Sequence, residues 1–191
     1  EKGFGAAMSE IEFKAFDKIA RLNREVVVTE KIDGTSAVVF ISDDLGTVIA
    51  GSRSRWITPA DDTHGFALWV SVNAEELRKL GPGYHYGEWW GSGIQRRYGI
   101  SEKRFSLFNV SRWADPAMRP ACCHVVPELA RGMDIRAETE RALTLLREHG
   151  STAAPGFMKP EGVVIWHEAA RQLFKVTIEK DEAPKTKQET K

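Results

Sequence analysis

The segment Lys31-Ile32-Asp33-Gly34 combines a potential nucleophile with a carboxylate two residues later. Alternate residues of a strand project to the same face, so the Lys31 and Asp33 side chains are predicted to point together. A lysine amine can act as a covalent nucleophile once it is deprotonated. These four residues alone are a weak signal, because Asp-Gly is also a common turn pair on protein surfaces.

Further segments carry charged or aromatic groups that suit phosphate and nucleotide chemistry. In chain order, they are residues 51–56, 86–91, 105–110, 161–164 and 174–177. The first segment holds two arginines, whose guanidinium forks match the geometry of phosphate oxygens. The second and fourth each hold a carboxylate, the third holds two phenylalanines, and the last holds a lysine. Each segment alone is a weak signal, and their order along the chain carries the inference.

The residue patterns predict an α+β fold with mostly antiparallel strands and a few peripheral helices. Predicted strands cover residues 26–42 with a break at Asp33-Gly34, then 46–56, 84–91, 104–113, 161–167 and 171–179. Helical spacing predicts helices over 65–80 and 138–150, and residues 10–24 are predicted to form a short helix or an entry loop. These elements must position the charged segments around one site.

The composition excludes some classes of protein. The 191 residues contain 27 Lys+Arg and 27 Asp+Glu, so the formal net charge is zero. Nucleic-acid binders often carry a basic excess, so phosphate contacts are expected from a local patch. Cys122 and Cys123 are adjacent and lack the spacing of a zinc site. No apolar run reaches the roughly 18–20 residues of a membrane span, so we expect a cytoplasmic protein with no membrane association.

The order and separation of these segments resemble the motif series of the covalent nucleotidyltransferases, which include DNA ligases, RNA ligases and mRNA capping enzymes. Residues 31–34 resemble the nucleophile motif, and the later motifs correspond to residues 87–91, 105–110, 161–163 and Lys175. The runs EKIDGT, GSRSRW, YGEWWGSGIQ and FSLFNV are most similar to phage-type ATP-dependent RNA ligases that reseal nicked RNA. The resemblance covers about residues 26–180 and implies the sheets of a ligase adenylyltransferase domain.

The resemblance implies a covalent mechanism in three steps. Lys31 attacks the α-phosphate of ATP and releases pyrophosphate, AMP moves to a 5′-phosphate end, and a 3′-hydroxyl then displaces AMP. Lys175 would neutralise charge on the α-phosphate, and Asp33 would orient Lys31 or the ribose region. Glu161 would bind a divalent metal, Mg²⁺ or Mn²⁺, since such ions prefer hard oxygen ligands.

The resemblance also implies how the nucleotide is bound. Glu30 would meet the adenine through its main chain, with a solvated side chain, and Arg53 would hold the ribose or phosphate. Glu88 would accept a hydrogen bond from a ribose hydroxyl. The family's step from this glutamate to the adenine-stacking ring fits Phe108, so Phe105 is interpreted as a core residue.

Three more arginines are assigned to the polynucleotide by the same resemblance. Arg55 would bind the incoming 5′-phosphate, and Arg96 and Arg97 would contact the nucleic-acid backbone. Such backbone contacts position a substrate without reading its sequence. The expected partners are therefore RNA ends or nicks, with DNA as the alternative.

Two features depart from the family's pattern. The last motif usually has two lysines, but Thr177 stands at the second position, on the same predicted strand face as Lys175. Lys180 has the opposite parity and cannot replace it on a straight strand. The second is length: many relatives carry an extra domain, so we expect either a stand-alone catalytic core or a fragment of a larger protein. We predict a lead-in over 1–25, a nucleotidyltransferase domain over 26–180 with a candidate helical insertion over 114–150, and a charged tail over 181–191.

Several functions stay open at this level. The leading hypothesis is an ATP-dependent RNA ligase that seals 5′-phosphate to 3′-hydroxyl ends. A small ATP-dependent DNA ligase is the first alternative, since RNA and DNA differ only at the 2′-hydroxyl and the base methyl group. A capping-type guanylyltransferase is the weakest of the enzyme hypotheses. A non-catalytic nucleic-acid end-binding module is the alternative outside the enzymes.

Overall fold

The computed structural model describes residues 11–179 and residue 181, which leaves the predicted charged tail, Asp181 excepted, and residues 1–10 of the lead-in outside the described residues. The strands are β1 (Val26–Lys31), β2 (Thr35–Ile41), β3 (Val48–Gly51), β4 (Trp56–Ile57), β5 (Gly83–Gly91), β6 (Lys103–Leu107), β7 (His124–Val125), β8 (Glu128–Gly132), β9 (Gly162–His167) and β10 (Gln172–Thr177). The helices are α1 (Phe66–Val72), α2 (Ala74–Leu77), α3 (Val110–Trp113) and α4 (Ile135–His149), with a 3-10 turn over Arg78–Leu80.

The strands form two sheets, in the orders β10-β9-β1-β8 and β4-β3-β2-β5-β6-β7. All neighbouring pairs are antiparallel except β6 and β7, so the predicted α+β class with mostly antiparallel strands is confirmed. Strands β1 and β2 are consecutive in the chain but belong to different sheets. The Asp33-Gly34 turn is therefore the point where the chain passes from one sheet to the other.

Each sheet has its own core on its outer face. Helix α1 packs behind the six-stranded sheet, where the ring of Phe66 lies 5.3 Å from Trp89 and 5.2 Å from Phe105. Helix α4 packs behind the four-stranded sheet, with Leu146 in the same buried cluster as Val28. Burial of these large apolar side chains is the main stabilising contribution on both sides.

The inner faces of the two sheets meet in a third, smaller cluster. Its buried members include Val27, Ile32, Trp90 and Tyr98. Side chains on a strand alternate between faces, so Val27 faces this inner cluster while Val28 faces α4. The inner cluster holds the sheets together at one end and leaves a cleft between them.

Several elements differ from the sequence prediction for local reasons. Residues 11–25 have no regular structure, which favours the entry loop over the helix. The helix predicted over 65–80 is interrupted at Asn73, whose side chain donates to the Trp69 carbonyl at 2.8 Å. The strand predicted over 104–113 ends at Leu107, because Asn109 caps α3 by accepting from the Arg112 N–H.

Segment 114–150 contains a strand as well as a helix. Strand β8 pairs with β1 and completes one edge of the four-stranded sheet. Helix α4 begins at Asp134, whose carboxylate accepts hydrogen bonds from the N–H groups of Arg136 and Ala137. No helix among the residues described here is long and apolar enough to cross a membrane.

Candidate active site

A cleft of about 830 Å³ lies between the two sheets. This volume is within the range of pockets that bind small molecules. The four-stranded sheet contributes Thr29 and Lys31 to its wall, and the six-stranded sheet contributes Glu88. Phe108, which follows β6, lies at the same opening. The tertiary structure therefore brings these three separate sequence segments to one place.

Lys31 is the last residue of β1, and its ammonium group meets a carboxylate across the strand pair. The Lys31 Nζ lies 2.8 Å from the Glu161 Oε2. Glu161 directly precedes β9, whose first residue, Gly162, is paired with Lys31. A Cβ at Gly162 would lie 2.2 Å from the Val176 carbonyl oxygen, so a glycine permits the close approach of β10 here. The register of β1 against β9 thus brings the Lys31 ammonium to the Glu161 carboxylate.

Asp33 lies beyond the end of the strand, so the predicted alternation with Lys31 does not extend to it. Its Oδ2 accepts from the Arg96 Nε at 2.9 Å, and its N–H donates to the Tyr98 hydroxyl at 2.6 Å. Arg96 also donates to the Lys159 carbonyl at 3.0 Å. These contacts fix the turn after Lys31 and occupy the guanidinium that was predicted to contact nucleic acid.

Gly34 and Glu88 link the turn to the six-stranded sheet. The Gly34 N–H donates to the Glu88 Oε1 at 3.0 Å. A Cβ at Gly34 would lie 2.4 Å from the Trp89 carbonyl oxygen and 2.7 Å from the Trp90 Cβ, so only glycine lets the turn approach β5 this closely. Burial raises the pKa of Glu88 to about 7, although the Gly34 N–H and the charge of Lys31 favour its ionised form.

The prediction that the Glu30 side chain is solvated is wrong, because this side chain is buried. Alternation along β1 directs it away from the cleft. Its carboxylate accepts from the Ser151 hydroxyl at 2.6 Å and from the N–H groups of Thr152 and Ala153, each at 2.8 Å. Burial raises the pKa of Glu30, while these hydrogen bonds act in the opposite direction. The main-chain N–H of Glu30 donates to the Pro127 carbonyl at 2.9 Å.

The two phenylalanines of the run 105–110 have opposite environments. Phe105 is fully buried between the strands and α1, which confirms its interpretation as a core residue. Phe108 is 42% exposed and lines the cleft. The strand ends between them, so Phe108 is free to present its ring at the opening.

The remaining arginines of the predicted set lie on the surface. Arg53 and Arg55 are both exposed in the loop between β3 and β4. Arg55 donates to both carboxylate oxygens of Asp61, at 2.6 and 3.1 Å. Arg97 is exposed and has a left-handed backbone with φ 61° in the loop after β5. None of these three lines the cleft among the described residues.

Lys175 lies on the edge strand β10, two strands away from Lys31. Val164 of β9 is opposite both Lys175 and Thr29, and Gly162 is opposite both Thr177 and Lys31. Lys175 and Lys31 therefore project from the same sheet face, but their Cα atoms are about 12 Å apart, because a two-residue offset along the strands adds to the spacing of two strands. Thr177 lies in the same transverse row as Lys31, and its hydroxyl donates to the Glu179 carbonyl at 2.9 Å.

The donor chemistry near Lys31 fits a hard divalent ion. Asp33, Glu88 and Glu161 are carboxylates, and the charges of Asp33 and Glu161 both act on the Glu88 ionisation. Within the described part of the chain, no three His, Cys, Asp or Glu side chains converge closely enough to hold a metal alone. Mg²⁺ usually takes one or two carboxylates together with water and substrate phosphates, which suits Glu161.

Sequence reasoning missed two groups that hold the site together. The Tyr98 hydroxyl is bonded to the Asp33 N–H, although 65 residues separate them. The loop 151–153 is bonded to Glu30, more than 120 residues earlier. No local pattern predicts such contacts, because they depend on how the two sheets and their loops come together.

The RNA ligase family model matches residues 24–177, which is most of the chain. The chain belongs to the RNA ligase family. Its solved relatives include the Naegleria gruberi RNA ligase with PPi, which is 22% identical with a TM-score of 0.59. That comparison covers 81% of this chain and 50% of that one.

Mutants of the same Naegleria gruberi RNA ligase give similar values. One with AMP and Mn is 18% identical with a TM-score of 0.58, covering 86% of this chain and 56% of that one. Another with ATP and Mn is 19% identical with a TM-score of 0.58, covering 81% and 49%. At this identity the likeness shows the RNA ligase fold alone, and this RNA ligase family member spans about half the length of its solved relatives. A search of curated proteins finds no match.

Proposed function

We propose that this chain is the catalytic domain of an ATP-dependent RNA ligase, which takes AMP onto Lys31 and seals 5′-phosphate to 3′-hydroxyl ends. The observation that carries this proposal is the position of Lys31. Its amine lies at the wall of a nucleotide-sized cleft, 2.8 Å from Glu161, with Glu88 and Phe108 lining the same cleft. Membership of the RNA ligase family supports RNA as the polynucleotide.

In the first step, the Lys31 ammonium gives up a proton to solvent, and the neutral amine attacks the α-phosphorus of ATP and loses a second proton as the new bond forms. A nitrogen–phosphorus bond forms, the bond between the α-phosphorus and its bridging oxygen breaks, and pyrophosphate leaves with the electron pair. A divalent metal bound by Glu161 would reduce the repulsion between the phosphates. In the later steps AMP moves to a 5′-phosphate, and a 3′-hydroxyl displaces it to form the phosphodiester.

The ligands of the solved relatives support this choice of substrate and metal. Structures of the Naegleria gruberi RNA ligase hold ATP and Mn, AMP and Mn, or PPi. These are the nucleotide, the transferred group and the leaving group of the proposed first step. We assign the same classes of ligand to this cleft, with Mg²⁺ or Mn²⁺ as the metal.

The proposed nucleotide contacts follow from what each side chain can reach. Phe108 stacks on the adenine, because its ring is exposed at the opening of the cleft. Glu88 accepts from a ribose hydroxyl, and the main chain of Glu30 contacts the base. Lys175, which projects from the same sheet face as Lys31, binds phosphate oxygens once the nucleotide is in place, whereas Arg53 lies outside the cleft.

The arginines outside the cleft are proposed to bind the polynucleotide. Arg55 binds the 5′-phosphate after exchanging its Asp61 partner, and Arg97 contacts the backbone from its exposed loop. Arg96 precedes Arg97 in this loop, but its side chain is bonded to Asp33, so its main role is to position the turn after Lys31. Such contacts hold the ends in place without reading sequence.

The test is the intact mass of the purified protein after incubation with ATP and Mg²⁺, beside Lys31→Ala and Lys31→Arg. We expect the parent to gain one AMP and both variants to gain none. Nicked RNA and nicked DNA, compared next as substrates, distinguish the RNA ligase from a DNA ligase. Folded parent protein that gains no mass with ATP or with GTP would contradict the catalytic proposal and leave an end-binding module.

A further inference from the structure

A row of exposed aromatic rings lies on the cleft-facing side of the six-stranded sheet. Trp56, Tyr84 and Tyr86 are 49%, 57% and 59% exposed, and we call these three rings the aromatic platform. Phe40 of β2 supports them from the same face, with its ring centre 4.8 Å from that of Tyr84. The proposed nucleotide chemistry uses none of these rings.

Strand register explains why the rings form a row. Tyr86 is opposite Val38, Val38 is opposite Gly51, and Gly51 is opposite Trp56. A Cβ at Gly51 would lie 3.1 Å from the Trp56 ring and 2.6 Å from the Val38 side chain. The absence of a side chain at Gly51 therefore lets the Trp56 ring lie over this position. The row of paired residues therefore crosses four strands, with a ring at each end, on Tyr86 and Trp56.

The rings are nearly parallel to one another. The ring centres of Tyr84 and Tyr86 are 6.2 Å apart with 10° between their planes. Those of Trp56 and Tyr84 are 6.3 Å apart with 25° between their planes. A set of half-exposed rings in similar orientations offers successive flat faces, which is the arrangement that stacking bases use.

The platform is continuous with the candidate active site. Tyr84 and Tyr86 share a strand face with Glu88, and both line the cleft. The Phe108 N–H donates to the Tyr86 carbonyl at 3.0 Å. The platform thus begins beside the proposed adenine position and extends outward to Trp56 at the sheet edge.

A positive charge lies at the outer end of the platform. Arg53 is exposed in the loop that leads to Trp56, and it forms no ion pair with any other described residue. Aromatic faces next to a free guanidinium match the two parts of an unpaired RNA strand, its bases and its phosphates. This local patch also fits a protein whose net charge is zero, since stacking does not require a large basic surface.

We propose that the aromatic platform binds unpaired bases of the RNA strand next to the ends being joined. The bases stack on Trp56, Tyr84 and Tyr86, and Arg53 holds the intervening phosphates. The choice of RNA as the ligand rests on the proposed function. Trp89, Trp90 and Trp113 cannot serve in this way, because all three are buried.

The test measures the affinity of the whole chain for a labelled single-stranded oligouridylate by fluorescence anisotropy. We expect Trp56→Ala and Tyr84→Ala each to weaken binding about 10-fold, since removing one stacking ring has an effect of that order. Trp56→Phe should keep most of the affinity because it keeps a ring. Leu68→Ala is the matched control, since Leu68 is 55% exposed but belongs to α1 on the opposite face of the sheet.

AMP attachment, measured by intact mass, separates this inference from the proposed function. Trp56→Ala should gain AMP as the parent does, because Trp56 does not line the cleft. If the parent gains no AMP but Trp56→Ala still weakens RNA binding, the proposed ligase function fails and the platform stands. Unchanged RNA affinity in both alanine variants would overturn the proposal that the aromatic platform binds RNA. The proposal would also be overturned if the parent is a dimer and Trp56→Ala dissociates the dimer without changing RNA affinity.

Discussion

Lys31 and Glu161 are 130 residues apart in the chain, yet the Lys31 Nζ lies 2.8 Å from the Glu161 Oε2. The contact follows from the antiparallel pairing of β1 with β9, which sets Lys31 opposite Gly162. Both side chains are only partly exposed, at 24% and 17%. The proposed nucleophile therefore rests against the carboxylate proposed to hold the metal.

The first prediction concerns Glu161→Gln, which keeps the size of the side chain and removes its charge. We expect the rate of AMP attachment to fall roughly 10- to 100-fold, as is typical when a metal site loses a supporting group. Raising the Mg²⁺ concentration should restore part of the rate. The free energy of unfolding should change by about 1 kcal/mol or less, because a partly exposed ion pair contributes little.

Glu128→Gln is the control for this variant, since Glu128 forms a surface ion pair with Arg131. Its rate of AMP attachment should equal that of the parent at every metal concentration. A Glu161→Gln protein that is as active as the parent at limiting Mg²⁺ would show that Glu161 does not bind the metal.

The second prediction concerns the pH dependence of stability through Glu88. Its pKa is about 7 in the folded protein, above the ordinary value of 4.5. Between these values the unfolded chain releases the proton while the folded chain keeps it, so stability falls as the pH rises through this window. The stabilisation is fully present below pH 4.5 and is lost above about pH 7.

Glu88→Gln should remove this dependence, because the amide stays neutral and can still accept from the Gly34 N–H. The free energy of unfolding of the variant minus that of the parent should therefore increase by on the order of 2 kcal/mol between about pH 4.5 and pH 8. Urea denaturation of both proteins across this range measures the difference. A difference that stays constant with pH would mean that Glu88 titrates normally.

The third prediction concerns Gly34→Ala. The added Cβ would lie 2.4 Å from the Trp89 carbonyl oxygen, and the backbone cannot move aside without separating the turn from β5. We expect a loss of about 1–3 kcal/mol in the free energy of unfolding and a fall in AMP attachment. Gly46→Ala is the control, because its Cβ would meet only the flexible Asp44 carboxylate at 3.3 Å. Equal stability of the two variants would contradict the close approach at Gly34.

The fourth prediction separates the two phenylalanines by their effects. Phe108→Ala should raise the KM for ATP in AMP attachment and leave the melting temperature nearly unchanged, since its ring is exposed at the cleft. Phe105→Ala should lower the free energy of unfolding by about 3–5 kcal/mol, because it empties part of the core. Loss of stability without a change in KM in Phe108→Ala would assign that ring to packing instead.

The sequence by itself determined the strand content and the chemistry-bearing segments. A β-branched run predicted the strand that carries Lys31, and alternation predicted the strand that carries Glu88, because branching and alternation are local properties of the chain. The order of the motifs also indicated the family, which the match over residues 24–177 shows. Gly34 was identified as part of a turn, although the local pattern did not reveal that its missing side chain lets this turn approach β5.

Only the tertiary structure decided which of these residues meet. That β1 and β2 enter different sheets, that Arg96 is bonded to Asp33, and that Glu30 is buried against the loop 151–153 all depend on long-range pairing. Sequence alternation assigns a side chain to a face but does not say what covers that face. Exposed and buried aromatics look alike in residue type, so the motif spacing of the family separated Phe108 from Phe105, and only the packing of α1 and the cleft showed what each ring contacts.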